Sequence, residues 1–227
     1  MLHPLPSPRE TRAGWVYLIF QLVLLPTLLT QGNSMLPSPL SPAVLNFLFF
    51  LINFAAALLI FRHSLKRDWK TAGEKPGKQA VAVLGGFLCY LLCGYLFDLA
   101  ARWFLPGFVN LNDQGIGFLA GSQLLLMAAG TILLVPLSEE CFYRGLIFGS
   151  LLRKSRALAY LVSAAVFSLI HILGYLGAYS GPDLLFSFLQ YLPAGLILAF
   201  AYEKSGTLFA PVFIHALVNL RGIWLMR

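Results

Sequence analysis

Seven long apolar stretches constrain this chain more than any other feature. They run over about 15–31, 43–61, 80–104, 118–152, 157–176, 184–203 and 207–225. A membrane helix needs about 20 apolar residues, and each stretch is long enough or nearly so. Hydrophobic residues make up 59% of the 227 and charged residues only 11%. Soluble domains carry roughly a quarter charged residues, so a water-soluble fold of this length could not hide so much apolar surface. The expected fold class is therefore all-α: a polytopic transmembrane helix bundle of about seven spans, forming one domain over residues 1–227. The chain reads as a multi-pass integral membrane protein.

The connections set the expected orientation. Arg9 and Arg12 precede the first stretch, and Arg62, Lys66, Arg67, Lys70, Lys75 and Lys78 fill the second connection. Arg153, Lys154 and Arg156 fill the fourth, and Lys204 the sixth. The first, third and fifth connections (32–42, 105–117 and 177–183) hold no Lys or Arg. This alternation predicts a cytoplasmic amino terminus and a carboxyl terminus outside. It also explains the net charge of +7 without a nucleic-acid partner, because the charges form no face. The expected partners are membrane lipids, which the basic second connection is placed to meet. The first stretch follows two arginines as a signal peptide would. No clean small-x-small cleavage site follows it, so it is expected to stay as a helix. Cys89, Cys93 and Cys141 lie in apolar stretches and read as small buried hydrophobes.

Ionisable residues inside membrane segments cost at least ~2.5 kcal/mol each on insertion scales. Glu139, Glu140, His171 and His215 stand out for that reason, accompanied by Arg144 and Asn219. They fall into three patterns: Glu139-Glu140-Cys-Phe-Tyr-Arg144, Phe167-Ser-Leu-Ile-His171 and His215-Ala-Leu-Val-Asn219. Residues four apart share a helix face. Glu140 is thereby expected to pair with Arg144, and His215 and Asn219 to point the same way. Glu139 projects about 100° from Glu140 and has no local partner.

Depth links the three patterns. At ~1.5 Å per residue, Glu139 lies ~21 Å in from Arg153, His171 ~22 Å from Arg156, His215 ~16 Å and Asn219 ~22 Å from Lys204. Three helices thus carry polar groups to a similar level. The count needs the fourth stretch to run on through the acids, with a kink at Pro136. Two acids, two histidines and an amide in a low-dielectric cavity suit hydrolysis. A carboxylate and a histidine can take a proton from water. A second histidine and an asparagine can donate to a developing oxyanion.

Glu-Glu-x-x-x-Arg, Phe-x-x-x-His and His-x-x-x-Asn, in this order, resemble the CAAX protease and bacteriocin-processing family, also called the Abi family. The resemblance covers about residues 110–222, the expected catalytic core. It implies an intramembrane endopeptidase acting on a membrane-associated or lipidated protein or peptide, in a prokaryotic plasma membrane. Carried over by position, Glu139 and His171 would activate water, His215 and Asn219 would form the oxyanion site, and Glu140 with Arg144 would support them. The resemblance leaves two cofactor readings. The expected one has no cofactor, since His-Glu-x-x-His is missing and Arg144 disfavours a second positive centre. The other is a zinc held by a glutamate and the two histidines.

Two other function classes compete. A transporter or proton relay also uses buried acids and histidines, but no internal repeat is visible. A non-catalytic scaffold or immunity protein would keep the motifs as a vestige. Mere helix glue is a poorer account, because interhelical hydrogen bonds average ~0.6 kcal/mol. Outside the cluster, Asp98 and Arg102 read as a pair near the outer interface, and His3 as part of a Pro-rich tail. Gln190 and Pro193 read chiefly as packing residues of the sixth stretch.

Overall fold

The computed structural model describes residues 6–225, which leaves His3 outside the described residues. No strand occurs among the described residues. Eight helices follow one another: α1 Pro8–Ser34, α2 Pro42–Ile60, α3 Arg62–Glu74, α4 Pro76–Phe104, α5 Leu111–Leu152, α6 Arg156–Leu173, α7 Gly181–Ser205 and α8 Phe209–Leu225. Six of them are long and apolar enough to cross a membrane. The seventh expected span, α8, is apolar but has 17 residues, about 26 Å at the helical rise.

Helix starts follow the polar residues between apolar stretches. Ser7, Ser41, Asn110, Ser155 and Ser180 are N-caps whose side chains accept a backbone N–H from the first turn. That satisfies a donor the helix itself cannot. Pro8, Pro42, Pro76 and Pro182 occupy first turns, where a missing N–H costs nothing. Gly206, at φ 84°, ends α7 in the left-handed region.

The fourth stretch begins earlier than its hydropathy suggests, and its irregularity is more extensive than one kink at Pro136. The backbone leaves helical geometry at Gln123, at φ −148° and ψ 64°, where the Gln123 amide reaches the Ser41 hydroxyl at 2.9 Å. Two π-helical turns follow, Gly130–Leu134 and Cys141–Phe148. A 42-residue straight helix would be ~63 Å long, so these breaks let α5 carry the acids within a bundle.

The basic second connection is itself a helix, α3, which its high charge concealed. Its inward face is Ser64, Leu65 and Asp68, at the spacing of an amphipathic helix. Glu10 caps it from α1: the carboxylate accepts the backbone N–H groups of His63 at 3.1 Å and Ser64 at 2.9 Å. Asp68, fully buried, accepts the Leu208 N–H at 2.9 Å, at the entrance to α8. A tether of buried carboxylates thus links α1 through α3 to α8, the helix that carries His215.

Two other sequence readings change. Cys89 is exposed on α4 and only Cys141 is buried. Asp98 and Arg102 are both exposed, and no salt bridge joins them among the described residues.

The core gathers around Cys141–Phe148, all eight of which are buried. α6 and α7 share the most extensive contact of any helix pair among the described residues. Gly195 makes that possible: a Cβ there would lie 2.8 Å from the Ala164 Cα, a clash with backbone. Replacing Gly195 with Ala is expected to destabilise the protein by roughly 1–3 kcal/mol through overpacking. Gly94→Ala, where nothing lies within 4 Å, should be neutral or mildly stabilising. Thermal denaturation in detergent measures both, and equal midpoints for the two variants would contradict this packing.

Candidate active site

Glu140 sits at the end of a short α-helical piece of α5, and Arg144 follows inside the widened turn. Both side chains are fully buried, and Arg144 Nη1 donates to Glu140 Oε1 at 3.1 Å. An ion pair removed from water must find further partners to offset desolvation, and this one does. His215 Nδ1 lies 2.9 Å from the same Glu140 oxygen. Arg144 Nη2 donates to the Gly195 carbonyl at 3.3 Å. The guanidinium carbon stands 4.4 Å from the centroid of the Phe167 ring, a cation–π contact. The expected Glu140–Arg144 pair is present, and it also holds α6, α7 and α8.

A carboxylate oxygen only accepts, so the His215 Nδ1 carries the proton that faces Glu140. Its Nε2 lies 4.0 Å from Glu139 Oε2. Among the described residues, Glu139 Oε2 has no hydrogen-bond partner, and neither has Glu140 Oε2. Glu139 is thus the acid without a local partner, as its helical angle implies. The ring beside it, however, is that of His215.

His171 lies on α6. Its Nδ1 stands 2.7 Å from the Phe167 carbonyl, an acceptor, so the proton resides on Nδ1 and Nε2 keeps a lone pair. Tyr191 stacks on the ring at 4.1 Å between centroids, and Phe167 touches its other neighbourhood at 4.5 Å. Phe167 also approaches the His215 ring edge-on, at 5.9 Å. The Phe-x-x-x-His spacing therefore has two uses: the carbonyl sets the tautomer, and the ring fills the space between the histidines.

Asn219 Nδ2 donates to the Thr131 carbonyl at 2.7 Å. That carbonyl is available because of the π turn. Val135 N–H reaches back five residues to Gly130 instead of four to Thr131, and Pro136 has no N–H to offer. The proline read from the sequence as a kink thus frees an acceptor for the Asn219 amide. His215 is level with the acids, while Asn219 lies one helical turn further along α8.

A cavity of about 280 Å³ brings His171, His215, Asn219, Thr131 and Tyr191 to one space. Its far side is polar. Asn110 donates to Gln190 at 2.7 Å, Asn112 donates to the Tyr191 hydroxyl at 3.1 Å, and that hydroxyl donates to Asn110 at 3.2 Å. Gln190 joins this rim, which a packing role alone does not explain. Sequence reasoning passed over Asn110, Asn112 and Tyr191 because they lie in a connection or look like ordinary span residues. Glu139 lines a separate small pocket of about 80 Å³ with Gln21, Asn53, Ser138 and Tyr143. Gln21 and Asn53 did carry a signal, since both are amides within apolar stretches.

The side chains present do not fit a zinc ion as they stand. Among the described residues no group of three or more His, Cys, Asp and Glu is gathered as a metal site. Glu140 Oε1 is taken by Arg144 and His215, and the guanidinium sits where a cation would be repelled.

Parts of the chain are similar to known proteins. Residues 121–221 match the family described as type II CAAX prenyl endopeptidase, Rce1-like. "UPF0177 protein YxdF" of Lactococcus lactis subsp. lactis (strain IL1403) is 32% identical over 113 residues, 49% of this chain and 56% of that protein. The chain thus spans little more than half the length of that relative. "Putative membrane peptidase YdiL" of Bacillus subtilis (strain 168) is 25% identical over 179 residues, 76% of this chain and 68% of that protein. No solved structure matches the chain. All six residues Glu139, Glu140, Arg144, His171, His215 and Asn219 fall within residues 121–221, the segment that is similar to the Rce1-like family of type II CAAX prenyl endopeptidases.

Proposed function

We propose that the protein is an intramembrane endopeptidase that hydrolyses a peptide bond of a membrane-associated or lipidated protein. The observation that carries this reading is His171 with its Nδ1 proton committed to Phe167 and its ring on a cavity shared with His215 and Asn219. The Nε2 lone pair is a base with a fixed direction. The cavity is large enough for a short extended peptide segment and too polar for mere packing.

In this reading His171 and Glu139 activate water. The proton leaves for one of these two acceptors as the water oxygen bonds to the scissile carbonyl carbon. The carbonyl oxygen becomes an oxyanion. Asn219 has a second amide hydrogen beyond the one on Thr131, and it donates there. His215 donates through Nε2 when its ring is doubly protonated, with Nδ1–H on Glu140. Collapse breaks the C–N bond, and the proton first taken from water passes to the leaving amine. Glu140 and Arg144 position His215 and do not touch the substrate. The mechanism requires no metal or cofactor.

The substrate is a peptide, and a lipid chain on it has a place to lie. An apolar groove of about 980 Å³ opens between α4 and α7, and Ile197 lines both it and the cavity. Gly86 keeps the wall thin: a Cβ there would meet Ile214 Cδ1 at 2.5 Å. The charge alternation supports an amino terminus in the cytoplasm and a carboxyl terminus outside, in a prokaryotic plasma membrane.

An internally quenched peptide carrying a farnesylated cysteine four residues from its carboxyl end is a suitable probe. Glu139→Gln and His171→Ala are each expected to slow its cleavage at least 100-fold, the scale of general acid–base catalysis. Both variants should keep the parent thermal midpoint in detergent, and full cleavage by either one removes the mechanism. Incubation with a chelator should leave cleavage unchanged. Loss of activity that zinc alone restores would replace the metal-free reading.

A further inference from the structure

The acid assigned to water activation does not open into the peptide-sized cavity. Its side chain is 24% exposed, and the space it borders is the 80 Å³ pocket between α1, α2, α5 and α6. That pocket is far too small for a peptide segment. A water occupies ~30 Å³ of liquid, so the pocket suits about one to three waters.

Its wall is built for water. A buried water needs two to four polar partners. The pocket offers the Glu139 carboxylate, the Asn53 and Gln21 side chains and the Ser138 hydroxyl. Gln21, Asn53 and Ser138 are each more than nine-tenths buried, although they lie in segments expected to face hydrocarbon. Asn53 is held in place from one side: its Oδ1 accepts from the Tyr17 hydroxyl at 2.9 Å, leaving its amide N–H groups for the pocket. Tyr17 in turn stacks on Phe142 at 5.6 Å. Ser138 donates to the Leu134 and Val135 carbonyls, so its oxygen remains an acceptor.

The backbone leaves one carbonyl of a wall residue without its helical donor. α1 contains a π turn, Phe20–Leu24, in which Leu25 N–H reaches back to Phe20, and Pro26 follows with no N–H. This repeats the arrangement at Thr131: a π turn, one residue, then proline. At Thr131 the released carbonyl receives Asn219. At Gln21 the equivalent carbonyl belongs to a residue of the pocket wall.

We infer that Gln21, Asn53 and Ser138 form a water-holding chamber that supplies the nucleophile to Glu139. The site then has two compartments, a larger one for peptide and a smaller one for water. Glu139 and His215 stand between them, Oε2 to Nε2 at 4.0 Å. The chamber places functional residues on α1 and α2, outside the segment that matches the family. This inference rests on the proposed hydrolytic reading for its purpose, but not for the presence of water.

Two measurements test it. A crystal structure of the full chain that shows ordered water should contain at least one water hydrogen-bonded to Glu139 and to Gln21 or Asn53. A dry pocket, or one filled by a lipid chain or side chain, overturns the chamber whether or not the protein cleaves peptides. The second measurement uses the farnesylated probe with Asn53→Leu and Asn53→Ser. Both variants lose the Tyr17 bond. Leu removes the polar wall at similar volume, whereas Ser keeps a hydroxyl and leaves room for water. The expected result is a kcat at least 10-fold lower for Asn53→Leu with KM within about twofold, and Asn53→Ser within about threefold of the parent. Equal kcat for all three overturns the inference, and so does an equal loss in both variants, which marks a structural role. Glu139→Gln separates the two claims: if that variant cleaves fully, Glu139 is not the water activator and the proposed mechanism fails, while a water in the crystal still establishes the chamber.

Discussion

The ion pair of Glu140 and Arg144 is the interaction on which the remaining geometry depends. Neither side chain is exposed at all. Breaking a buried pair by removing one partner costs ~3–5 kcal/mol, because the other charge is left uncompensated. The cost is what makes the pair a locator. Arg144 must keep the Gly195 carbonyl and the Phe167 face, and Glu140 must keep His215 Nδ1. Four helices are therefore held in register by two side chains one helical turn apart. Gly195 serves this arrangement twice, since its bare Cα admits α6 and its carbonyl receives the guanidinium.

Helix irregularity is the second device. A regular helix consumes its own carbonyls, and the bilayer offers no water to replace them. Each π turn ahead of a proline in this bundle releases one carbonyl at a chosen residue. At Thr131 the released group fixes the orientation of Asn219. π-Bulges are frequent at functional sites, and here the reason is visible in the bonding: the turn turns backbone into a side-chain anchor.

Much of this was legible in the sequence, for physical reasons that differ between features. Apolar length marked the six helices long enough to cross a membrane and the shorter apolar helix α8, because the bilayer sets a minimum that composition must meet. Four-residue spacing marked Glu140 with Arg144 and Phe167 with His171, because both lie within one helix and need only its periodicity. What escaped lies between helices. The contact of His215 with Glu140 depends on how α8 slides along α5, which spacing does not encode. The depth count came within about a turn, enough to gather the polar groups but not to say which histidine stands beside which acid. α3 escaped because six basic residues in one connection outweigh its short inward face of Ser64, Leu65 and Asp68. Gln21 and Asn53 escaped because they are neutral amides, which the search for ionisable residues does not reach, and because they stood outside the three motifs.

The tether that runs from Glu10 through α3 to Asp68 has a consequence for biosynthesis. One partner of Asp68, the Leu208 N–H, lies 140 residues later in the chain. Translation at about 5–20 residues per second delivers it roughly 7–28 s after Asp68 itself. Through that interval the carboxylate, fully buried in the finished bundle, has its neighbour Arg67 but not the helix it caps. Glu10 and α3 are therefore made well before the helix that completes the tether. His215 lies on the same helix, so its contact with Glu140 forms only once α8 has been made.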